Sequence, residues 1–310
     1  MLEAPLRLGM MTPSSNTVLE PVTAALLAPT PWVTAHFQRL RVLAINLGTD
    51  ATSQFDPRPM ADAAALLADA KVHALCWNGT SGAWLGLESD RALCASITRE
   101  TGTPCTTATL ALFDALNALG AKRIGLVTPY LNTVQTAIIE NFAGLGVETV
   151  VERHLEDPGN YSFAEHSAAK VDALVREAAA AKPDAIVIHC TNFRGLPGAV
   201  GIEAEKGIPI LDSIAVALWG AIRAAGRRPG RRRPVPGSRS IPAGAPRQKS
   251  LRWPALKTSA RSAGATRHKT RREKRVPRPR APRQRPESRE MPAPSARRRS
   301  DGSAGARRRP

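Results

Sequence analysis

Short apolar runs alternate with longer Ala/Leu-rich stretches along the first 226 residues, and the two patterns have different periods. The short runs are the predicted strands, at 8–12, 33–40, 74–78, 124–128, 148–153, 185–189 and 208–211. Between them, 60–70, 110–119, 133–145, 166–181 and 213–225 carry apolar residues at helical spacing. Strands that are mostly apolar on both faces and separated by helices predict a parallel sheet covered on both sides.

The chain also repeats itself. Arg7-Leu-Gly-Met-Met-Thr-Pro-Ser-Ser-Asn-Thr-Val18 matches Arg123-Ile-Gly-Leu-Val-Thr-Pro-Tyr-Leu-Asn-Thr-Val134 at an offset of 116, with seven of twelve positions identical. Glu100-Thr-Gly-Thr-Pro104 echoes Glu205-Lys-Gly-Ile-Pro209 at an offset of 105. The expected architecture is α/β, with two pseudo-symmetric parallel-sheet halves at 1–116 and 117–226. The last helix of the second half is expected to pack back on the first. Ligands of open α/β sheets bind beyond the carboxyl ends of the strands. Facing halves would therefore bring Pro13 to Asn16, Gly79 to Gly82, Pro129 to Asn132 and Cys190 to Asn192 around one cleft.

Charge divides the chain differently. The 310 residues carry a formal net charge of +18, but residues 227–310 hold 28 basic and 4 acidic residues, so the body is net −6 and the tail net +24. Twenty-four of the tail's residues are Arg and 13 are Pro, with seven from the Ile/Leu/Val/Met/Trp set, too few to offset the entropy of folding. The expectation is a disordered Arg/Pro-rich tail, and any contact with nucleic acid would run through these residues alone. With Trp253 as its single aromatic, base stacking would add little. The same composition arises when a GC-rich gene is read out of frame after about Gly226. Resequencing, or an intact mass matching about 240 residues, separates the two origins.

No run of 18 or more apolar residues is present, and Met1 to Arg7 lack the pattern of an export signal, so neither a membrane partner nor export is expected. Cys76, Cys94, Cys105 and Cys190 are widely spaced without a C-x-x-C pair, which argues against a disulfide scaffold or a zinc site and for a cytoplasmic protein with reduced thiols. There is no G-x-G-x-x-G after the first strand, no P-loop lysine motif and no metal triad. Chemistry without a cofactor or metal is the simplest expectation.

The candidate chemistry lies in the loops. Cys190, where a strand meets Thr191-Asn192, is placed to act as a proton donor or a thiolate, although a buried structural cysteine is the commoner case. His189 alternates to the other face and is read as packing. Gly79-Thr80-Ser81-Gly82 offers two hydroxyls and backbone N–H groups for a carboxylate or a developing enediolate, or else an ordinary N-cap. Ser14, Asn16 and Thr17 begin one helix and Tyr130 precedes another; capping alone accounts for Asn16 or Thr17, whereas Tyr130 offers a phenol. Cys76, Cys94 and Cys105 are read as structural.

These loops, Pro13-Ser-Ser-Asn16, Gly79-Thr-Ser-Gly82, Thr128-Pro-Tyr130 and Cys190-Thr-Asn192, resemble the aspartate/glutamate racemase superfamily in its maleate isomerase and arylmalonate decarboxylase branch. The resemblance covers roughly residues 5 to 226. It implies a pseudo-symmetric two-domain α/β enzyme acting on a small dicarboxylate or carboxylate. Racemases and isomerases of this superfamily use one cysteine from each half. Here Cys190 matches the second and Gly79 stands in place of the first, the arrangement of arylmalonate decarboxylase. The resemblance then implies that Thr80, Ser81 and Tyr130 hold one carboxylate of a malonate while Cys190 protonates the enediolate left by carbon dioxide. Ser14, Asn16, Gly79, Gly82, Thr191 and Asn192 would line the substrate site.

Three functions follow. A decarboxylase rests on Gly79, Thr80, Ser81, Tyr130 and Cys190. An isomerase or racemase of the same superfamily needs a second reactive group, with Cys76 the candidate after a local shift; Cys190-Thr-Asn-Phe-Arg194 and Asn16 look more like isomerase loops, and Trp84 fits neither pattern. The third function is nucleic-acid binding through the tail. Oligomeric state is not legible.

Overall fold

The computed structural model describes residues 5–42 and 57–226, and the expectations for the tail at 227–310 lie outside them. Two four-stranded, all-parallel sheets form the frame. The first, in the order β2-β1-β3-β4, comprises β1 (Leu6–Pro13), β2 (Val33–Leu40), β3 (Ala74–Trp77) and β4 (Cys105–Thr107). The second, β6-β5-β7-β8, repeats the order with β5 (Arg123–Val127), β6 (Glu148–Arg153), β7 (Ala185–Ile188) and β8 (Ile210–Asp212). The helices of the first half are α1 (Leu19–Leu27), α2 (Pro57–Asp69), α3 (Gly82–Leu85), α4 (Leu87–Thr101) and α5 (Ala108–Leu119). Those of the second are α6 (Asn132–Gly144), α7 (Ala168–Ala179), α8 (Leu196–Lys206) and α9 (Ser213–Ala224), with a 3₁₀ turn at Ser162–Glu165.

The central strands are covered on both faces, which is why they read as continuous apolar runs rather than alternating ones. On β1, Leu6, Leu8 and Met10 join Ala74 and Cys76 of β3 in one apolar cluster, whereas Met11, Leu75 and Trp77 belong to a second cluster with Leu67 of α2. The glycine repeated at mid-strand, Gly9 and Gly125, marks close approach. A Cβ on Gly9 would lie 3.2 Å from Leu67 Cβ, and one on Gly125 3.3 Å from Ala178 Cβ of α7.

The last helix crosses between halves. Ile214, Ala217, Leu218 and Ala221 of α9 pack in the cluster of Leu6, Leu8, Met10 and Cys76, so a second-half helix covers a face of the first sheet. Reciprocally, Ala111, Leu112, Ala115 and Leu116 of α5 join the cluster of Ile124, Leu126 and Val127, and Phe113 meets Phe142 of α6 edge-on at 4.9 Å. At the crossing of the two helices a Cβ on Gly220 would lie 2.5 Å from Ala111 Cβ, so glycine there permits their approach.

Candidate active site

The register between the first strand of each half and its third strand is the same in both halves. Trp77 pairs with Met11 as Ile188 pairs with Val127, and Met11 and Val127 are equivalent in the repeat. The next residue binds the same carbonyls: Asn78 N–H donates to Met11 O and His189 N–H to Val127 O, each at 2.9 Å. Two strands therefore end in step, and Gly79, Thr80 and Ser81 occupy the places of Cys190, Thr191 and Asn192.

Between these strand ends lies a small cleft lined by Asn16, Trp77, Gly79, Thr80, Ser81, Tyr130, Cys190, Thr191 and Asn192, closed by Pro13, Val42, Trp84 and Asn160. Thr80 Oγ1 and the Tyr130 hydroxyl are 2.6 Å apart. The phenol also stands beside the Cys190 sulfur, where it favours the thiolate. Either hydroxyl can donate in the Thr80–Tyr130 bond, which crosses the seam of the two halves. Ser81 lines the same cleft beside them.

Burial dominates the electrostatics. It pushes the Cys190 thiol up to about 12, against the Tyr130 phenol and the Asn192 N–H, which favour the thiolate; Asp212 and Asp157 add to the rise. A neutral thiol follows at ordinary pH. Tyr130 is likewise held well above its usual value, by burial and then by Cys190. His189 is driven down to about 4 by burial and stays neutral. Its ring packs 6.0 Å from Phe142, and it is not among the cleft-lining residues, as its alternation predicts.

Several expected ligand-binding residues have their side chains committed to holding the halves together. Asn16 Oδ1 accepts from the N–H groups of Val18 and Leu19, capping α1, while its Nδ2 donates to Thr191 Oγ1 at 3.1 Å. Thr191 in turn donates to Asn78 O at 2.7 Å. Asn192 accepts from Thr17 N–H at 3.0 Å and donates to Asn160 O at 2.6 Å. These residues border the cleft through a clamp between halves.

Two expected positions lie off the cleft. Ser14 Oγ accepts from Val42 N–H at 3.3 Å and does not line the cleft, because the chain turns there to reach the end of β2. Gly82 also stands outside the lining, with its Cα against Asp90, whose carboxylate accepts from Thr107. Cys76 faces the opposite side of the sheet, with its sulfur 3.8 Å from Ala217 O of α9, and does not line the cleft.

Reading the chain did not single out Trp77, Val42 or Asn160. Trp77 reads as strand core, and Val42 falls two residues beyond the predicted strand 33–40. Asn160 lies in Asp157-Pro-Gly-Asn160, a turn-rich loop beyond β6 on the ligand side of the sheet, which was the available signal. Among the described residues no group of three or more His, Cys, Asp and Glu could hold a metal ion, and no helix is long and apolar enough to cross a membrane.

A duplicated α/β frame with one thiol at the seam defines a class of protein, and comparison with known proteins narrows it. The family model for arylmalonate decarboxylase matches residues 34–233. The chain is similar to maleate isomerase of Geobacillus stearothermophilus, 27% identical over 227 residues, 69% of this chain and 89% of that protein. Arylmalonate decarboxylase of Bordetella bronchiseptica is 31% identical over 143 residues, 46% of this chain and 60% of that one. The crystal structure of a maleate isomerase from Pseudomonas putida S16 superposes with a TM-score of 0.66 at 25% identity, covering 72% of this chain and 93% of that one. The chain belongs to the arylmalonate decarboxylase family, in the branch of the aspartate/glutamate racemase superfamily that also holds maleate isomerases. It is therefore an enzyme.

Proposed function

We propose that this protein is a cofactor-independent lyase that removes carbon dioxide from a malonate-type dicarboxylate. The observation that carries this reading is a cleft with a single thiol: Cys190 lines it, and the symmetry-related position is Gly79. One carboxylate of the substrate is held by Thr80, Ser81 and Tyr130. The other lies against Val42, Trp77 and Trp84, where apolar walls favour loss of charge. Its C–C bond breaks, carbon dioxide leaves, and the electron pair stays on the retained fragment as an enediolate. Cys190 then gives its proton to the α-carbon, and water reprotonates the thiolate.

The neutral thiol supports the role of acid, because an acid must hold its proton until charge develops. Donors fixed in advance at the growing oxyanion contribute on the order of several kcal/mol to such steps. The test is proton NMR of the full chain in deuterated buffer with 2-methyl-2-phenylmalonate, with maleate and aspartate in parallel. Loss of one carboxylate with deuterium at the α-carbon is expected, together with loss of turnover in Cys190→Ala at unchanged folding. Full turnover in that variant would sink the reading.

A maleate isomerase is the second reading. It is favoured by the relative from Geobacillus stearothermophilus, whose match extends over most of that protein's length. It requires a nucleophile besides an acid, and the raised thiol with glycine opposite supplies one group where two are needed. Conversion of maleate to fumarate in the parallel tube would establish it over the lyase.

A further inference from the structure

The place of the missing second thiol is not empty space. A Cβ built on Gly79 would lie 2.3 Å from both Cε2 and Cζ2 of Trp77 and 2.5 Å from its Nε1. Real side chains do not approach so closely, and the obstacle is a ring rather than the free end of a flexible chain. Trp77 is 1% exposed and packs in the main apolar cluster, so its ring swings away only if that core opens. Its Nε1 has no hydrogen-bond partner among the described residues, and packing alone holds it there. In the second half the equivalent residue is Ile188, and Cys190 two positions on carries its side chain into the cleft.

We propose that Trp77 is the residue that determines specificity in this cleft: its indole fills the volume a side chain at position 79 would need, and so confines proton transfer to the Cys190 face. This rests on the one-thiol reading of the site. Two-base chemistry needs an acid or base on each face of the reacting carbon. With the indole against Gly79, the opposite face is an apolar wall, and the product is protonated from one side only. Glycine at 79 is then half of a pair, and supplying a cysteine there alone does not supply a second acid.

The test is a double-mutant cycle of Gly79→Cys and Trp77→Leu in the full chain, read by thermal unfolding and by the enantiomeric excess of 2-phenylpropionate formed from 2-methyl-2-phenylmalonate. Alone, Gly79→Cys should lower Tm by about 5 °C through overpacking, and in the Trp77→Leu background by about 1 °C or less. The single variant should keep the enantiomeric excess of the native enzyme, and the double variant should lose it through racemisation. Should Gly79→Cys fail to fold, Gly79→Ala gives the same thermal cycle with one added carbon. Additive Tm changes, or racemisation in Gly79→Cys as fast as in the double variant, would overturn the proposal. If the native enzyme leaves the malonate untouched, the functional reading fails instead, while the thermal cycle still decides whether Trp77 holds that volume.

Discussion

On the proposed reading the Cys190 thiol serves as an acid only while it keeps its proton, and burial moves its titration to about 12. An ordinary cysteine titrates near ~8.5, so an unperturbed acid would give kcat/KM an alkaline limb there. In this enzyme the limb assigned to Cys190 should lie more than about one unit higher; a limb at the ordinary value that disappears in Cys190→Ser would contradict the assignment. On the proposed reading, Tyr130→Phe removes a donor to the retained carboxylate. Turnover should fall by about 10²-fold, with a smaller change in KM. Single-turnover kinetics would check it, and an effect confined to KM would reassign the phenol to ground-state binding.

At this scale the sequence carried part of the site. That Cys190, Thr80, Ser81 and Tyr130 gather in one cleft was legible, because they follow repeated strands at the ends where ligands bind. The clamp through Asn16, Thr191 and Asn192 was not, because its bonds join residues 175 apart in the chain. Trp77 was hidden for another reason. Strand periodicity assigns it to the core, where it is, and nothing in the chain says that the core borders the cleft at that point.

Among the elements, five helices followed from apolar periodicity, whereas α4, the longest at Leu87–Thr101, was not singled out because polar and charged residues break up its apolar stripe, and β4, three residues long, is too short to display a period. Loop chemistry was the least legible, and β6 with its following loop illustrates why. His154 sits between Glu152 and Glu156, at 2.6 and 2.9 Å, while Glu152 accepts from Gln135 and Glu156 from Asn132 N–H. Gln135 in turn accepts from Thr128, whose hydroxyl receives Tyr130 N–H. One imidazole thus ties together the carboxylates on both flanks of the turn carrying Tyr130. Burial pushes the His154 pKa down, but the two carboxylates together outweigh it, so the folded value is raised. Its stabilisation is complete below the unfolded value of about 6.5 and is lost as pH rises through the folded value. The Tm difference between the native enzyme and His154→Gln should therefore be larger at pH 6 than at pH 9. An equal difference at both would mean that the pair contributes no pH-dependent stability.

For the whole molecule, the duplication decides where the site is and the α5–α9 crossing holds its two walls together. Gly220→Val tests that crossing. Replacing a helical glycine gains up to about 1 kcal/mol of helix propensity, but overpacking against Ala111 costs about 1–3 kcal/mol, and the larger side chain makes the clash win. Urea unfolding should show a lower midpoint with an unchanged slope, and a midpoint equal to or above the native one would place slack at the crossing. The repeat was visible in the sequence because seven identities fall in one twelve-residue window. The chain reading expected the last helix to pack back on the first half; the reciprocal placement of α5 against the second sheet was not read, because hydrophobic periodicity does not encode which face of a sheet is left bare.

That exchange bears on synthesis at the ribosome. Leu6, Leu8 and Met10 emerge early, yet the helix that shields them ends at Ala224. The first sheet can acquire its strands while the chain lengthens, and Leu19 and Leu26 of α1 cover part of that face early, but the rest waits, greasy and bare, for nearly the whole described chain to be made. Nascent chains stalled before α9 should therefore recruit chaperones and resist folding into a protease-proof unit, and release of that helix should be the step that locks both halves at once.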